Sequence, residues 1–375
     1  MVLVLDKSGS MGSNNRLFVL AQAAYKFIIS TVPDGVELGI IMFDSRATIV
    51  HQMRQITSVK DRESLVASLH SNSGGGTAIG TGVEKALELL QSNGGTVGSK
   101  LLVLSDGQDG NNLDNVIDVG TLDNIGIVAD VIAFSTSAAT NLERLADRTG
   151  GTAFFYSEDE SSTALDDAFS RSVGGNTNCV GTQPVEIKSE KVSAASSVPT
   201  QGHVFLDSSL GKSTTFMFTP PPSVRTRGLL VVTVTSPDGR TTFTSASPGY
   251  LEHSIFFVIS IVIPSVAAAG QWKYSIQNSG AGKVGVNIRS SPVSNSGGIT
   301  LRAWVNKLNI NVPADTSIVY AEVSKGYSPV IELQVKATIE LPGKKFITID
   351  LYDNGIGSDN FKDDGVYSNF FPNVS

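Results

Sequence analysis

Asp6, Ser8 and Ser10 stand at alternate positions directly after the apolar run Val2–Leu5. In an extended segment, side chains at i, i+2 and i+4 point to the same side. One carboxylate and two hydroxyls are therefore expected to converge just beyond the carboxyl end of a strand, which in an open α/β sheet is where ligands bind. A donor set made only of oxygen suits a hard cation such as Mg2+ or Ca2+ rather than zinc or copper. Ser and Asp are also common turn residues, so the same residues are compatible with a capped strand-to-helix turn.

Two later segments favour the metal. Ser73-Gly-Gly-Gly-Thr77-Ala-Ile-Gly-Thr-Gly82 is a glycine-rich loop that runs into a helical pattern. Leu101-Leu-Val-Leu-Ser-Asp106-Gly is a second apolar strand ending in an aspartate. D-x-S-x-S, a later threonine and a strand-Asp-Gly together form the pattern of a metal-ion-dependent adhesion site. On these residues the first part of the chain resembles a von Willebrand factor type A domain. The resemblance implies that the hydroxyls of Ser8, Ser10 and Thr77 touch the metal directly. It implies that Asp6 and Asp106 act largely through water or as outer acceptors. The expected ion is Mg2+, with Ca2+ or Mn2+ in its place. Mg2+ keeps several waters in near-octahedral geometry, so an exchangeable position would remain for a carboxylate from a partner protein. Asp109 is assigned a loop role and Lys7 a solvent-facing one.

The elements needed to hold these residues are legible in the periodicity. Val2–Leu5 predicts a strand and Arg16–Val32 a helix with Leu17, Leu20, Ala24, Phe27 and Ile28 on one face. Glu37–Phe43 and Ala47–Val50 predict a hairpin. Arg62–Leu69 and Ile79–Gln91 predict helices, and Lys100–Leu104 a buried strand. Leu113–Asn124 reads as a helix, Ile127–Phe134 as a strand and Leu142–Thr149 as a helix. Thr152–Tyr156 then reads as a short strand and Ser161–Val173 as a last helix. Alternating strands and helices predict an α/β, Rossmann-like fold: a mostly parallel sheet with helices on both faces and one antiparallel edge strand.

Composition changes after Gly175. Helical periodicity disappears and β-branched residues dominate, with expected strands at Ser213–Thr219, Leu229–Ser236, Thr241–Ser245, Ile255–Ile263, Gln271–Gln277 and Lys283–Arg289. Short strands at this spacing predict an all-β sandwich, with Trp272 as a core aromatic. A second Ser/Asn/Pro/Gly-rich cluster, Ser290–Gly298, precedes strand-like runs at Leu301–Val305, Ser317–Val323, Ser328–Ile339 and Lys345–Tyr352. The expected division is residues 1–175 for the type A domain, 176–290 for a β-sandwich and 291–375 for a truncated fibronectin-III-like module. The chain is read as a fragment of a longer protein.

Global numbers narrow the function. A chain of 375 residues has room for two or three cores. The net charge is −7 and no basic stripe is present, so nucleic acid is not an expected partner. A single cysteine, Cys179, excludes a disulfide framework. Ile255–Ala269 is apolar but shorter than the roughly twenty residues a membrane span needs, and is read as a buried strand running into a loop.

Read together, Leu3-Val-Leu-Asp-Lys-Ser-Gly-Ser-Met11, Gly74-Gly-Gly-Thr77 and Leu104-Ser-Asp-Gly-Gln-Asp109 resemble the calcium-activated chloride channel regulator family. So do Gly270-Gln-Trp-Lys-Tyr-Ser275, Leu351-Tyr-Asp-Asn-Gly-Ile-Gly357 and Lys362-Asp-Asp-Gly-Val-Tyr-Ser368. The resemblance implies a secreted or cell-surface protein that modulates chloride conductance through a membrane or extracellular partner presenting an acidic residue. That partner is expected to be a calcium-activated chloride channel. Family members normally carry an N-terminal metalloprotease domain with a His-Glu-x-x-His motif. Of His51, His70, His203 and His253 none begins that motif, so proteolysis is not assigned to this chain. General matrix adhesion through the same site is the alternative function. Catalysis is a weaker one, since no His or Glu is placed by the motif as a base.

The segment holding Asp353, Asn354, Asp359, Asp363 and Asp364 is a second candidate cation site, for Ca2+, which accepts six to eight oxygens in loose geometry. It lacks the closing glutamate of an EF-hand, and a solvated turn would use the same residues. Asn373-Val-Ser375 matches a glycosylation acceptor.

Overall fold

The computed structural model describes residues 1–69, 72–107, 112–118, 122, 126–134, 136–156, 158, 162–173, 184–195, 198–280, 282–294, 299–307, 316–325, 328–341 and 345–372. His70, Asp109, Cys179 and the Asn373–Ser375 acceptor lie outside them, as do the whole of the 174–183 linker and parts of the Leu113–Asn124 and Ser290–Gly298 segments.

In the first part, β1 (Val2–Asp6), β2 (Glu37–Phe43), β3 (Ala47–Gln55), β4 (Lys100–Ser105), β5 (Val128–Ala133) and β6 (Ala153–Phe155) form one sheet in the order β3-β2-β1-β4-β5-β6. All neighbours are parallel except β2 and β3, whose antiparallel pairing is the expected edge hairpin. The helices are α1 (Arg16–Lys26), α2 (Val59–Ala67), α3 (Ile79–Ser92), α4 (Asn112–Asp118), α5 (Thr136–Thr149) and α6 (Ala164–Val173).

The near-continuous apolar runs of β1 and β4 follow from burial on both faces. Leu3, Leu5, Leu102 and Leu104 enter one core with α1, α2 and α6. Val2, Val4, Leu101 and Val103 enter the other with α3, α4 and α5. The period of two thus divides each strand between two helical layers.

Helix α1 continues into a π-helical turn at Phe27–Thr31, so the expected helix over 16–32 is present with a widened last turn. Helix α2 begins three residues earlier than expected, because the Ser58 hydroxyl accepts from Asp61 N–H and caps it.

The second part is a pair of antiparallel sheets. One contains β8 (Thr200–Leu206), β10 (Leu230–Thr235), β11 (Thr242–Phe243) and β14 (Gly270–Asn278). The other contains β7 (Val185–Ser193), β9 (Leu210–Thr219), β12 (Tyr250–Glu252), β13 (Ile259–Val262) and β15 (Lys283–Pro292). Phe216, Phe218, Trp272, Tyr274 and the aliphatic residues of both inner faces make their shared core. Trp272 is buried, with Nε1 donating to Ala268 O at 2.8 Å.

Strands β7 and β8 were not expected. Their polar-rich alternation, Glu186-Ile-Lys-Ser-Glu190 and Thr200-Gln-Gly-His203, hides them from an apolar-run criterion. The expected strand Ile255–Ile263 is only β13, because its first half has another task. Phe256 and Val258 leave the sandwich and complete the core around α1. Phe256 lies beside Tyr25, with ring centroids 5.5 Å apart. The unusual apolarity of this segment is therefore that of an interface between the two parts.

The last part pairs β16 (Ile299–Val305), β17 (Ile318–Lys325), β18 (Ser328–Pro329) and β21 (Val366–Phe370) in one sheet, beside the hairpin β19 (Val335–Leu341) and β20 (Lys345–Leu351). The expected continuous strand Ser328–Ile339 is split, with Glu332 at φ +62 in the break. Among the described residues, no helix is long and apolar enough to cross a membrane.

Candidate metal site

Strand β1 lies between β2 and β4, where the strand order reverses direction, and in open α/β sheets ligands bind at the carboxyl ends of the strands at such a point. The parallel register pairs Leu5 with Leu104. The next residues of the two strands, Asp6 and Ser105, are therefore neighbours, and Ser105 Oγ donates to Asp6 Oδ2 at 2.5 Å. Asp6 Oδ1 accepts the Ser8 N–H at 2.7 Å. Ser8 and Ser10 present their Oγ atoms 3.1 Å apart, and Ser10 Oγ donates to Asp106 Oδ1 at 2.6 Å. Asp6, Ser8, Ser10 and Asp106 thus share one hydrogen-bonded cluster, although Asp106 is about a hundred residues from the others.

The glycine-rich loop is docked onto the first motif by backbone. Gly74 N–H donates to Lys7 O at 2.9 Å and Gly9 N–H donates to Gly75 O at 3.1 Å. Gly75 has φ +77 and packs against Asp44, which only glycine does without strain. A Cβ on Gly107 would meet Thr77 Oγ1 at 2.9 Å, so the Thr77 hydroxyl lies directly against the chain after Asp106. All five expected residues lie near one another at this end of the sheet. Lys7, expected to face solvent, instead pairs with Asp44 and ties β1 to the β2–β3 turn.

The electrostatics suit a cation. Asp6 is buried, and its carboxyl is pushed above its ordinary range by that burial, with nearby Asp106 adding and the Ser105 and Ser8 hydrogen bonds opposing. Its described partners are hydroxyl and amide donors, none of them a cation. A buried carboxylate without a counter-charge is costly, and a divalent ion would supply one. Two cis ligands about 2.0–2.1 Å from an octahedral Mg2+ stand about 3 Å apart, which is close to the spacing of the Ser8 and Ser10 hydroxyls.

Three residues beside the cluster escaped sequence reasoning. Ser105 could have been found from the strand register, since it directly precedes Asp106. Arg16 and Glu158 could not. Arg16 Nη1 donates to Asp106 Oδ2 at 2.5 Å while its Nε pairs with Glu158, and 142 residues separate Arg16 from Glu158. A sandwich residue also reaches this loop: Arg225 Nη2 donates to Asn15 Oδ1 at 2.9 Å and its guanidinium lies over the Phe18 ring.

At the C-terminal candidate, Asp353, Asp359 and Asp364 each offer a carboxylate oxygen within 4.8 Å of the others. Asp363 is not part of that group and pairs with Lys362 at 3.5 Å. The three carboxylates already accept loop amides: Asp359 from Asn354 and Gly355, Asp353 from Asp364 and Gly365, Asp364 from Val366. Those bonds account for their positions as loop supports.

Residues 1–171 match the family model of the von Willebrand factor type A domain. Over 373 residues, 98% of this chain, the sequence is 33% identical to calcium-activated chloride channel regulator 1 of Mus musculus. The chain carries a von Willebrand factor type A domain and is similar over nearly its whole length to calcium-activated chloride channel regulators. Regulator 4 of Homo sapiens is 34% identical over 375 residues, again 98% of the chain. The chain spans 39% of the length of each of these two relatives. Among solved structures, a von Willebrand factor type A protein from Catenulispora acidiphila matches at a TM-score of 0.40 and 16% identity, covering 86% of this chain and 62% of that one.

Proposed function

We propose that this chain is a metal-ion-dependent protein-binding module. Ser8, Ser10 and Thr77 would hold a divalent cation, Mg2+ or Ca2+ or Mn2+ in its place, with Asp6 and Asp106 as outer acceptors. The observation that carries this reading is the Asp6–Ser8–Ser10–Asp106 cluster, in which two hydroxyls stand 3.1 Å apart beside a buried carboxylate whose partners among the described residues include no cation. A cation held mainly by neutral oxygens keeps much of its charge, and when bound it offers an open position to a carboxylate of another protein. The chain's own groups orient the hydroxyls and fix the loops. No His or Glu stands among the described residues of the cluster to act as a base, which favours bridging over catalysis.

The partner is an extracellular or membrane protein presenting an acidic side chain. The names of the relatives point to a calcium-activated chloride channel, and our reading of a metal-bridged partner places the protein at the cell surface or after secretion. The test is capture from surface-biotinylated, chloride-conducting cells in Mg2+, in EDTA, and with Asp6→Ala. Capture of a channel only with metal and intact Asp6 supports the reading. Equal capture in all three conditions assigns binding to the β-sheets. Metal-dependent capture of a matrix protein, with no effect on chloride current, would replace the channel with matrix adhesion.

A further inference from the structure

Arg16 is the first residue of α1, and its guanidinium lies between two carboxylates at the edge of the donor cluster. Nη1 donates to Asp106 Oδ2 at 2.5 Å and Nε pairs with Glu158. Glu158 is held from the other side by Asn14 Nδ2 at 3.1 Å, and adopts φ +60. The Asp106 side chain is fully shielded from solvent while those of Arg16 and Glu158 are only partly so. The Arg16–Asp106 attraction is therefore weakly screened and the Arg16–Glu158 attraction more so. With Ser10 Oγ donating to Oδ1, both oxygens of Asp106 are engaged.

We propose that Arg16 is a resident counter-cation of the metal site: it neutralises Asp106, holds it in an outer position and lowers the affinity for the divalent ion. Glu158 sets the strength of this effect by sharing the guanidinium. The inference rests on the reading of Asp6, Ser8, Ser10, Thr77 and Asp106 as a divalent-metal site. The physical reason is charge balance. A fixed positive group beside the ion opposes its binding, and leaves the bound ion less compensated and so more attractive to an incoming carboxylate. The ion pair also explains why α1 can begin with a cation at its positive end, normally an unfavourable place: two carboxylates offset it.

The test is equilibrium binding of Mg2+ and of Mn2+ to the whole chain, without any partner, for wild type, Arg16→Gln, Arg16→Lys and Glu158→Gln. Thermal unfolding alongside reports whether each is folded. Removing one charge next to the ion is expected to change affinity about tenfold. Arg16→Gln tightens binding, Glu158→Gln weakens it, and Arg16→Lys stays near wild type. A role for Arg16 confined to holding the loop predicts weaker binding in Arg16→Gln. That result, or unchanged affinity in both charge-removing variants, overturns the proposal. If Arg16→Gln does not fold, Glu158→Gln decides: weaker binding supports the proposal, and equal or tighter binding overturns it. Absence of binding to wild type would instead overturn the metal-site reading itself.

Discussion

Ser105 Oγ donates to Asp6 Oδ2 at 2.5 Å across the paired ends of β4 and β1. The bond fixes the orientation of the buried carboxylate and leaves its other oxygen to the Ser8 amide, so the second strand of the motif helps to build the first. Ser105→Ala removes a donor from a buried charge, a loss of about 1–3 kcal/mol. The expected result is a lower melting temperature and roughly tenfold weaker Mg2+ binding, read by calorimetry. Unchanged affinity would mean that Asp6 does not need this orientation.

Metal should stabilise the fold by linkage. At a hundredfold excess over Kd, binding to the native state alone adds about 2.7 kcal/mol. Mg2+ is therefore expected to raise the melting temperature, EDTA to reverse it, and Asp6→Ala to abolish the shift while remaining folded.

Where the type A domain meets the sandwich, Lys26 Nζ lies 2.5 and 2.6 Å from the two oxygens of Asp166 and 3.1 Å from Asn287 Oδ1. Arg289, from the same strand as Asn287, reaches Ser30, Thr31, Ser170 and Glu186. Lys26→Met leaves Asp166 charged and buried, a cost of about 3–5 kcal/mol. Chemical denaturation should show that loss, and Lys26→Met with Asp166→Leu should recover much of it.

The same interface makes stability depend on pH. Burial, with Glu186 and Asp166 adding, pushes the Asp167 carboxyl up from 3.8 to about 7. Below about pH 4 both folded and unfolded forms are protonated. Between pH 4 and 7 only the folded form keeps the proton, so stability is lost as pH rises through that window. The full shift is worth about 4 kcal/mol; Asp167 keeps some solvent contact, which makes about 2 kcal/mol the expected loss. Burial also pulls the Lys191 amine down to about 8. Between there and its ordinary value of 10.5, the unfolded chain holds more protons and stability returns. Asp167→Asn should flatten the acidic side of a melting-temperature profile from pH 4 to 8. An unaltered slope would assign it to other groups.

Gly82 lies where α3 crosses β1 and β2. An added Cβ would sit 2.9 Å from both Val4 Cγ1 and Phe43 Cδ1. Gly82→Ala gains about 1 kcal/mol of helix propensity but overpacks the core, which costs about 1–3 kcal/mol. Net destabilisation of about 1 kcal/mol is expected from denaturant titration. A more stable variant would show that the layers separate easily.

The alternation of apolar strands and amphipathic helices was sufficient to place the α/β fold, and the D-x-S-x-S, glycine-loop-Thr77 and strand-Asp106 pattern to name candidate residues that the fold brings to one end of the sheet. These are local signals: a period of two or 3.6 and a fixed spacing survive without knowledge of neighbours. Strands β7 and β8 were hidden because half-exposed strands carry as many polar as apolar residues. The apolar Phe256 segment was misread because its burial partner, Tyr25, is over two hundred residues away. Arg16, Glu158 and the Lys26–Asp166 pair belong to the same class. Isolated charged residues look alike along a chain, and only the packing of α1 against Asp106, Glu158 and the sandwich selects which charges meet. The local pattern therefore picked out the residues of the candidate site, and the tertiary structure decided which charges surround them.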